Sequence, residues 1–403
     1  MRRLPRALGA LMPLLLTSAT AVGATAPAAF AAGGTVKLPV LRSQLADGAA
    51  CAGASGSVAS AVPWEQQSLG LSRLWGLGSG AGVTVAVVDT GVSAQAPALR
   101  GRVTAVGGAG TDCVGHGSFV AGLIAAAPVE GVRFAGVARG ARVVGVRGTD
   151  ERGAATAASV AEGIRAAVDA GARVVAVSPA LTGSSAALDA AVRYAAGRDV
   201  LLVAAAVPDA PATDASASAP PPRDYWPAAA PGVLSVLDVD VAGRRPRGAY
   251  VPRAADLAAP GDGVVGPGPK GAGHYIGSGA SLAAGYVAGT AALVRATHPS
   301  LTAAEVGRRL TATAYPADVA RVDPYAALTS VRGALPAVRS GGGGGGAVRL
   351  PSDEAGSKAT HRAVLVALGG GGVVLLVAWA AVVAPRGRAR GWRAGPLRSS
   401  RRP

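Results

Sequence analysis

Val83-Thr84-Val85-Ala86-Val87-Val88-Asp89-Thr90-Gly91 is an apolar run that ends on a carboxylate and turns at once. Valines and alanine follow one another without an alternating polar face, so the run reads as a strand buried on both sides. The same character recurs outward from it. Residues 143–146, 174–177 and 200–206 are further short apolar runs of strand type, and 117–127, 154–170 and 187–196 carry small and apolar residues at helical spacing. Two more helical stretches, 281–297 and 302–311, follow. Strand and helix in alternation predict an α/β domain of three layers, a mostly parallel sheet covered by helices on both faces. The domain is placed at 81–335. Residues 32–80 read as an arm that wraps onto it through Trp64, Leu69, Leu71, Leu74 and Trp75. Residues 208–224, with Pro220-Pro221-Pro222, read as an inserted surface loop. Residues 336–360, with six consecutive glycines, read as a flexible tether.

The two ends stand apart from this domain. Arg2, Arg3 and Arg6 precede an apolar run over 8–22 and the small residues closing on Ala29-Phe30-Ala31. That is the layout of a secretory signal peptide, placed at 1–31; uncleaved, the same run is an N-terminal anchor. Residues 363–384 hold no charge. As a helix they span about 33 Å, enough to cross the hydrocarbon core of a bilayer. The tail from 385 to 403 carries seven arginines and no acid, which predicts that it is cytoplasmic and the rest of the chain outside. The formal net charge of +16 over 403 residues suggests a nucleic-acid binder. Leader and tail account for ten of those charges, leaving +6 between them, and no nucleic-acid partner is expected.

Three segments carry chemistry. The first is the strand ending on Asp89. The second is Gly115-His116-Gly117-Ser118-Phe119-Val120-Ala121-Gly122, a histidine at a helix start between glycines. In the third, Gly277-Ser278-Gly279-Ala280-Ser281-Leu282-Ala283, a serine opens a helix rich in alanine and glycine. Asp89 alone reads as a turn former, His116 as a capping residue and Ser281 as an N-cap. Taken together they suit nucleophilic acyl transfer on a polypeptide substrate. Serine attacks only when an imidazole takes its proton, and a buried carboxylate holds that imidazole in the right tautomer. A helix N-terminus at the serine adds N–H groups near a developing oxyanion.

With these words in the order Asp, His, Ser, the chain resembles the subtilisin-like serine proteases over residues 63–328. Tyr225-Trp226-Pro227-Ala228 and Asp256-Leu257-Ala258-Ala259-Pro260-Gly261 extend the resemblance. More narrowly it resembles the mycosins, membrane-anchored subtilases associated with type VII secretion in actinobacteria. Pro63-Trp64-Glu65-Gln66-Gln67 and Arg73-Leu74-Trp75 look like their arm. An even pair of exported cysteines reads as a disulfide, with two free thiols the alternative. Cys51 and Cys113 sit where that group has its arm-to-domain bridge. The resemblance implies a subtilisin-like fold, with Asp89 orienting, His116 the base and Ser281 the nucleophile. It also implies a substrate-binding edge at Ser178-Pro179-Ala180 and subunits of a type VII secretion membrane complex as partners. No cofactor or metal is expected.

The chain departs from the family pattern at several places. The family places an oxyanion asparagine after a strand, where this chain has Val203-Ala204-Ala205-Ala206-Val207-Pro208, and the chain contains no asparagine at all. Pro208 therefore marks a degenerate oxyanion position. Ala280 and Gly285 replace a threonine and a proline of the serine motif, and Pro179 removes a backbone donor from the substrate edge. Two functions stay open: a slow or narrowly specific peptidase, and an idle scaffold of a secretion complex. His274, His298 and His361 lie in no ligand-like spacing and read as surface or loop residues.

Overall fold

The computed structural model describes residues 37–209, 221–331 and 354–391, with side chains of the last segment from 370 onward. The signal peptide, the tether up to residue 353 and most of the inserted loop lie outside the described residues; residues 354–360, expected in the flexible tether, are helical. The chain divides into two units, Met1–Val331 and Arg332–Pro403.

In the first unit two short arm helices, α1 (Trp64–Ser68) and α2 (Leu71–Leu74), precede β1 (Thr84–Asp89). Then come β2 (Val103–Ala105), α3 (His116–Ala125), β3 (Arg142–Arg147), α4 (Ala157–Asp169), β4 (Val174–Val177), α5 (Ala186–Gly197) and β5 (Leu201–Ala205). The chain continues through β6 (Leu234–Val239), β7 (Leu257–Pro260), β8 (Val264–Pro267), β9 (His274–Gly277), α6 (Ala280–Thr297), α7 (Ala303–Ala312) and α8 (Pro324–Thr329). Seven strands form one sheet in the order β2-β3-β1-β4-β5-β6-β7, every neighbouring pair parallel. A separate antiparallel ribbon joins β8 to β9. The expected three-layer α/β arrangement is present. The β6 and β7 strands, the ribbon and the edge strand β2 were not expected, because β2, β7, β8 and β9 are only three or four residues long and Ser235 and Asp238 interrupt the apolar run of β6.

Strand residues divide between two cores. Val85, Val87, Val174, Ala176, Leu201 and Val203 face α3 and α6, whereas Ala86, Val88, Val175, Val177, Leu202 and Ala204 face α4 and α5. Both sets are buried, which is why these strands lack alternation. Helix α6 is buried along its whole face from Ala280 to Arg295, and its alanines and glycines let it lie close on the sheet. The sheet places β1 third of its seven strands, between β3 and β4, where the strand order changes direction. Open α/β sheets gather functional groups at such a place.

The arm lies on this unit as expected. Leu69, Leu71 and Leu74 are buried, and the Trp64 and Trp75 indole N–H groups donate to Gly263 O and Gly136 O at 3.0 and 3.2 Å. Further back, the Leu41 N–H donates to Ile276 O in β9 and the Ile276 N–H donates to Pro39 O, both at 2.9 Å, and Cys51 is bridged to Cys113. His274, expected at the surface, is buried in β9 against the Phe134 ring, and its Nδ1 accepts the Ala59 N–H. Burial holds its pKa down at about 4, so this imidazole is neutral and structural.

Among the described residues the second unit holds one helix, α9 (Glu354–Ala389). It starts before the expected span and runs through Pro385 into the basic tail. Its stretch apolar enough to cross a membrane is Gly370–Ala389. Val373, Leu375, Leu376 and Trp379 are exposed on it, the condition of a helix whose solvent is lipid.

Glu65 gives the arm a titratable anchor. It is fully buried on α1, and its Oε1 accepts the Val265 N–H at 2.9 Å. The Tyr286 hydroxyl lies near, but neither it nor Glu65 Oε2 completes a hydrogen bond with a described residue. Burial pushes the carboxyl from 4.5 up to about 7 against its hydrogen bonds. Between those pH values folding takes up a proton, so stability falls as pH rises from 4.5 to about 7, by on the order of 3 kcal/mol, and stays lower above it. Glu65→Gln keeps the acceptor for Val265 and is expected to abolish that slope in denaturant unfolding of the full chain. A slope identical to wild type would show that Glu65 is not its source.

Candidate active site

Asp89 is the last residue of β1, and His116 is the first of α3. The two meet because the turn after β1 and the start of α3 approach without an intervening side chain. A Cβ on Gly117 would stand 2.0 Å from Gly91 O, so only glycine fits there. Gly115, with φ +88°, turns the chain into α3 through the left-handed region. His116 Nδ1 then donates to Asp89 Oδ2 at 2.8 Å and lies 3.0 Å from Oδ1. Asp89 Oδ1 also accepts the Thr90 N–H at 2.6 Å. Burial raises the Asp89 pKa, but the charge and hydrogen bond of His116 and the Thr90 N–H together hold it below the usual carboxylate value. The buried Ser178 hydroxyl approaches the same carboxylate without completing a hydrogen bond.

A second carboxylate braces this junction from behind. Asp112 Oδ1 accepts the Gly115 N–H at 2.7 Å and the Thr90 hydroxyl at 2.8 Å; Oδ2 accepts the Ser118 N–H at 2.8 Å and its hydroxyl at 2.7 Å. Thr90 Oγ1 in turn accepts the Gly117 N–H at 3.0 Å. Four donors on one carboxylate tie the first turn of α3 to the turn after β1, next to the Cys51–Cys113 bridge. Burial raises the Asp112 pKa despite the hydrogen bonds from Ser118 and Thr90. No sequence feature singled out this role, because the four donors come together only in the folded chain.

Ser281 is the second residue of α6, and its Oγ lies 3.0 Å from His116 Nε2. Asp89, His116 and Ser281 are 1%, 5% and 1% exposed, so all three groups are withdrawn from water. A buried carboxylate, an imidazole and a serine hydroxyl in hydrogen-bonded series can move a proton off the serine as it attacks a carbonyl carbon. Ser178, Pro179 and Ala180 follow β4 directly, beside the end of β1, where an extended peptide could run.

The oxyanion position holds a surprise. Asp209, the residue after Pro208, reaches Ser281. Its Oδ1 accepts the Ser281 N–H at 3.0 Å and its Oδ2 accepts the Ser281 hydroxyl at 2.6 Å. Oδ2 also lies 3.2 Å from His116 Nε2. Burial lowers the His116 pKa, but the charge of Asp89 and the hydrogen bonds and charge of Asp209 outweigh it, and the imidazole stands well above its ordinary value. The sequence signal for Asp209 was the one used for Asp89: an acid just past a buried strand at the C-terminal edge of the sheet. The run of prolines and alanines after it hid that reading.

The geometry has counterparts. A family model described as the Subtilase family matches residues 80–347. Mycosin-3 of Mycobacterium tuberculosis is 34% identical over 317 residues, covering 63% of this chain and 67% of that protein. Thermitase of Thermoactinomyces vulgaris is 32% identical over 238 residues, covering 57% of this chain and 80% of that one. The structure of the MycP3 protease from the type VII (ESX-3) secretion system superposes with a TM-score of 0.59 at 33% identity, over 73% of this chain and 95% of that chain. That of the serine protease MycP1, an essential component of the type VII (ESX-1) secretion system, does so at 0.61 and 28%, over 73% and 100%. The subtilisin-like architecture expected from the sequence is the one observed.

Asp112→Asn puts an amide N–H₂ against a backbone N–H whichever way it is turned, since each Asp112 oxygen accepts one. The expected loss is about 2 kcal/mol of stability. It should be measured by denaturant unfolding of the full chain. An unchanged unfolding midpoint would remove Asp112 as the brace of α3.

Proposed function

The chain belongs to the subtilase family of serine-type peptidases, and on that footing we propose that it is a membrane-anchored extracytoplasmic endopeptidase, slow or narrowly specific, associated with type VII protein secretion. The single observation that carries the reading is the hydrogen-bonded series from Asp89 through His116 to Ser281. In this reading Asp89 fixes the tautomer of His116 and steadies the imidazolium. His116 takes the Ser281 proton and returns it to the leaving amine, and Ser281 forms the acyl-enzyme that water then hydrolyses. The substrate lies along Ser178-Pro179-Ala180, an edge short of one donor because Pro179 has no N–H.

Slowness follows from the oxyanion position. The Ser281 N–H is a donor there, and no asparagine side chain joins it. In subtilisin, loss of the side-chain donor lowers turnover by about 10²–10³. A second reading, a scaffold whose triad is idle, draws on the same place: Asp209 presents acceptors to the serine where a substrate oxygen needs donors. The mycosin likeness supports subunits of a secretion membrane complex as neighbours and a polypeptide as substrate. The apolar stretch of α9 followed by Arg386, Arg388 and Arg390 supports one membrane crossing with the C-terminus inside.

A fluorophosphonate probe reacts with a serine whose base is engaged. The full chain in detergent is expected to label slowly and Ser281→Ala not at all; a chain that stays unlabelled both as wild type and as Asp209→Ala sinks the peptidase reading in favour of the scaffold. Topology is tested separately. A protease added to intact protoplasts is expected to digest residues 81–335 and to spare the arginine tail, and protection of that domain would reverse the orientation.

A further inference from the structure

Asp209 is where this site differs from a resting serine triad, and the difference has a direction. Its carboxylate is 7% exposed and touches both reacting groups, the Ser281 hydroxyl and His116 Nε2. The packing is close: a Cβ on Gly279 would stand 2.1 Å from Asp209 Oδ1, so glycine there admits the carboxylate. The Ser281 hydroxyl has one proton. At 2.6 Å from Asp209 Oδ2 that proton lies toward the carboxylate, and Ser281 Oγ is left to accept from His116 Nε2–H. Every donor and acceptor is then satisfied with the imidazole doubly protonated: Nδ1–H to Asp89, Nε2–H to Ser281 or Asp209, the Ser281 hydroxyl and N–H to Asp209. With a neutral imidazole the Nε2 lone pair would face a carboxylate oxygen 3.2 Å away.

We propose that Asp209 is a built-in latch on the serine: as a carboxylate it occupies the oxyanion position, turns the Ser281 proton away from His116 and pairs with the imidazolium, so that the triad rests in a closed state. The inference rests on the peptidase reading of Ser281. Release needs no added proton. Transfer of the Nε2 proton from His116 to Asp209 Oδ2 leaves a neutral imidazole and a carboxylic acid, with the same proton count as the closed state. The neutral Nε2 can then take the Ser281 proton while Oγ bonds the substrate carbonyl carbon and the C=O π pair moves onto oxygen. The oxyanion so formed receives hydrogen bonds from the Asp209 O–H and the Ser281 N–H.

The groups that set the balance come from each surrounding element. Asp89 at the end of β1 favours the imidazolium from the far side of the ring, and Ser281 at the start of α6 offers its N–H to the carboxylate. Asp238 on β6 is buried and paired with Arg245; burial above all raises its pKa, and the charge of Asp209 adds to that rise. Through the imidazolium, Asp89 favours the closed state.

The test compares the full chain in detergent as wild type, Asp209→Asn and Asp209→Ala, with circular dichroism to show that each is folded. Histidines are labelled with carbon-13; the chain has four, and His116 is assigned by substitution. The latch predicts that His116 in wild type keeps its proton well above the ordinary imidazole range and loses it at least one pH unit lower in both variants. It also predicts that Asp209→Asn, which places an amide donor in the oxyanion position, reacts with the fluorophosphonate at pH 7.5 at least tenfold faster than wild type, with about 10²–10³ as the ceiling. Asp209→Ala, which releases the serine without supplying a donor, should gain less. An unchanged His116 titration overturns the latch. So does an Asp209→Asn chain that reacts no faster than a reactive wild type. If His116 shifts but no variant reacts, the latch stands as the electrostatics of the site and the peptidase reading falls.

Discussion

The site depends on how closely the end of β1 approaches the first turn of α3. An ionised carboxylate buried as deeply as Asp89 is stable only if paired and hydrogen-bonded, and His116 is the partner. The two stand 27 residues apart in the chain, so the pair forms only where the backbones nearly touch, and Gly117 permits it by lacking a side chain. The Asp112 bonds to Gly115, Ser118 and Thr90 hold that contact, and the Cys51–Cys113 bridge joins the arm to the same loop. Removing one partner of such a buried pair leaves an uncompensated charge, which makes the junction unforgiving of substitution.

On the other side of the imidazole, stability and chemistry make opposite demands on one N–H. The first N–H groups of α6 have no partner within the helix, and a carboxylate beside them answers both the missing hydrogen bond and the helix dipole. Asp209 does this for Ser281. An oxyanion in catalysis needs that same N–H. A side chain that is a good cap for the resting helix is therefore a competitor for the substrate, and the strength of that competition is set by where one proton sits between His116 and Asp209.

The arm extends the same close packing to the rim. Its backbone pairs with β9, its indoles reach carbonyls at the start of β8 and after α3, and Glu65 is buried beneath it. An arm bridged by a disulfide and hydrogen-bonded along its length is part of the domain, and its contacts hold β8 and β9 against α3 and the loop before it.

Much of this was legible from residues alone. Uninterrupted apolar runs named the central strands, because a strand buried on both faces needs no polar face, and helical spacing named α3 to α7. Asp89, His116 and Ser281 were readable because each stands at a strand end or helix start among glycines, where a side chain is presented rather than packed. The 363–384 run announced a span by its lack of charge, although the helix itself ignores the composition change at Pro385. What the sequence left hidden were groups whose role is a relation between distant segments. His274 is buried because β9 pairs under the arm, Asp112 braces because four donors converge on it, and Asp209 faces Ser281 across 72 residues of chain. Local pattern reports which face a residue turns to its own element. Only the closing of β5 and α6 against β1 and α3 decides which charge meets which proton.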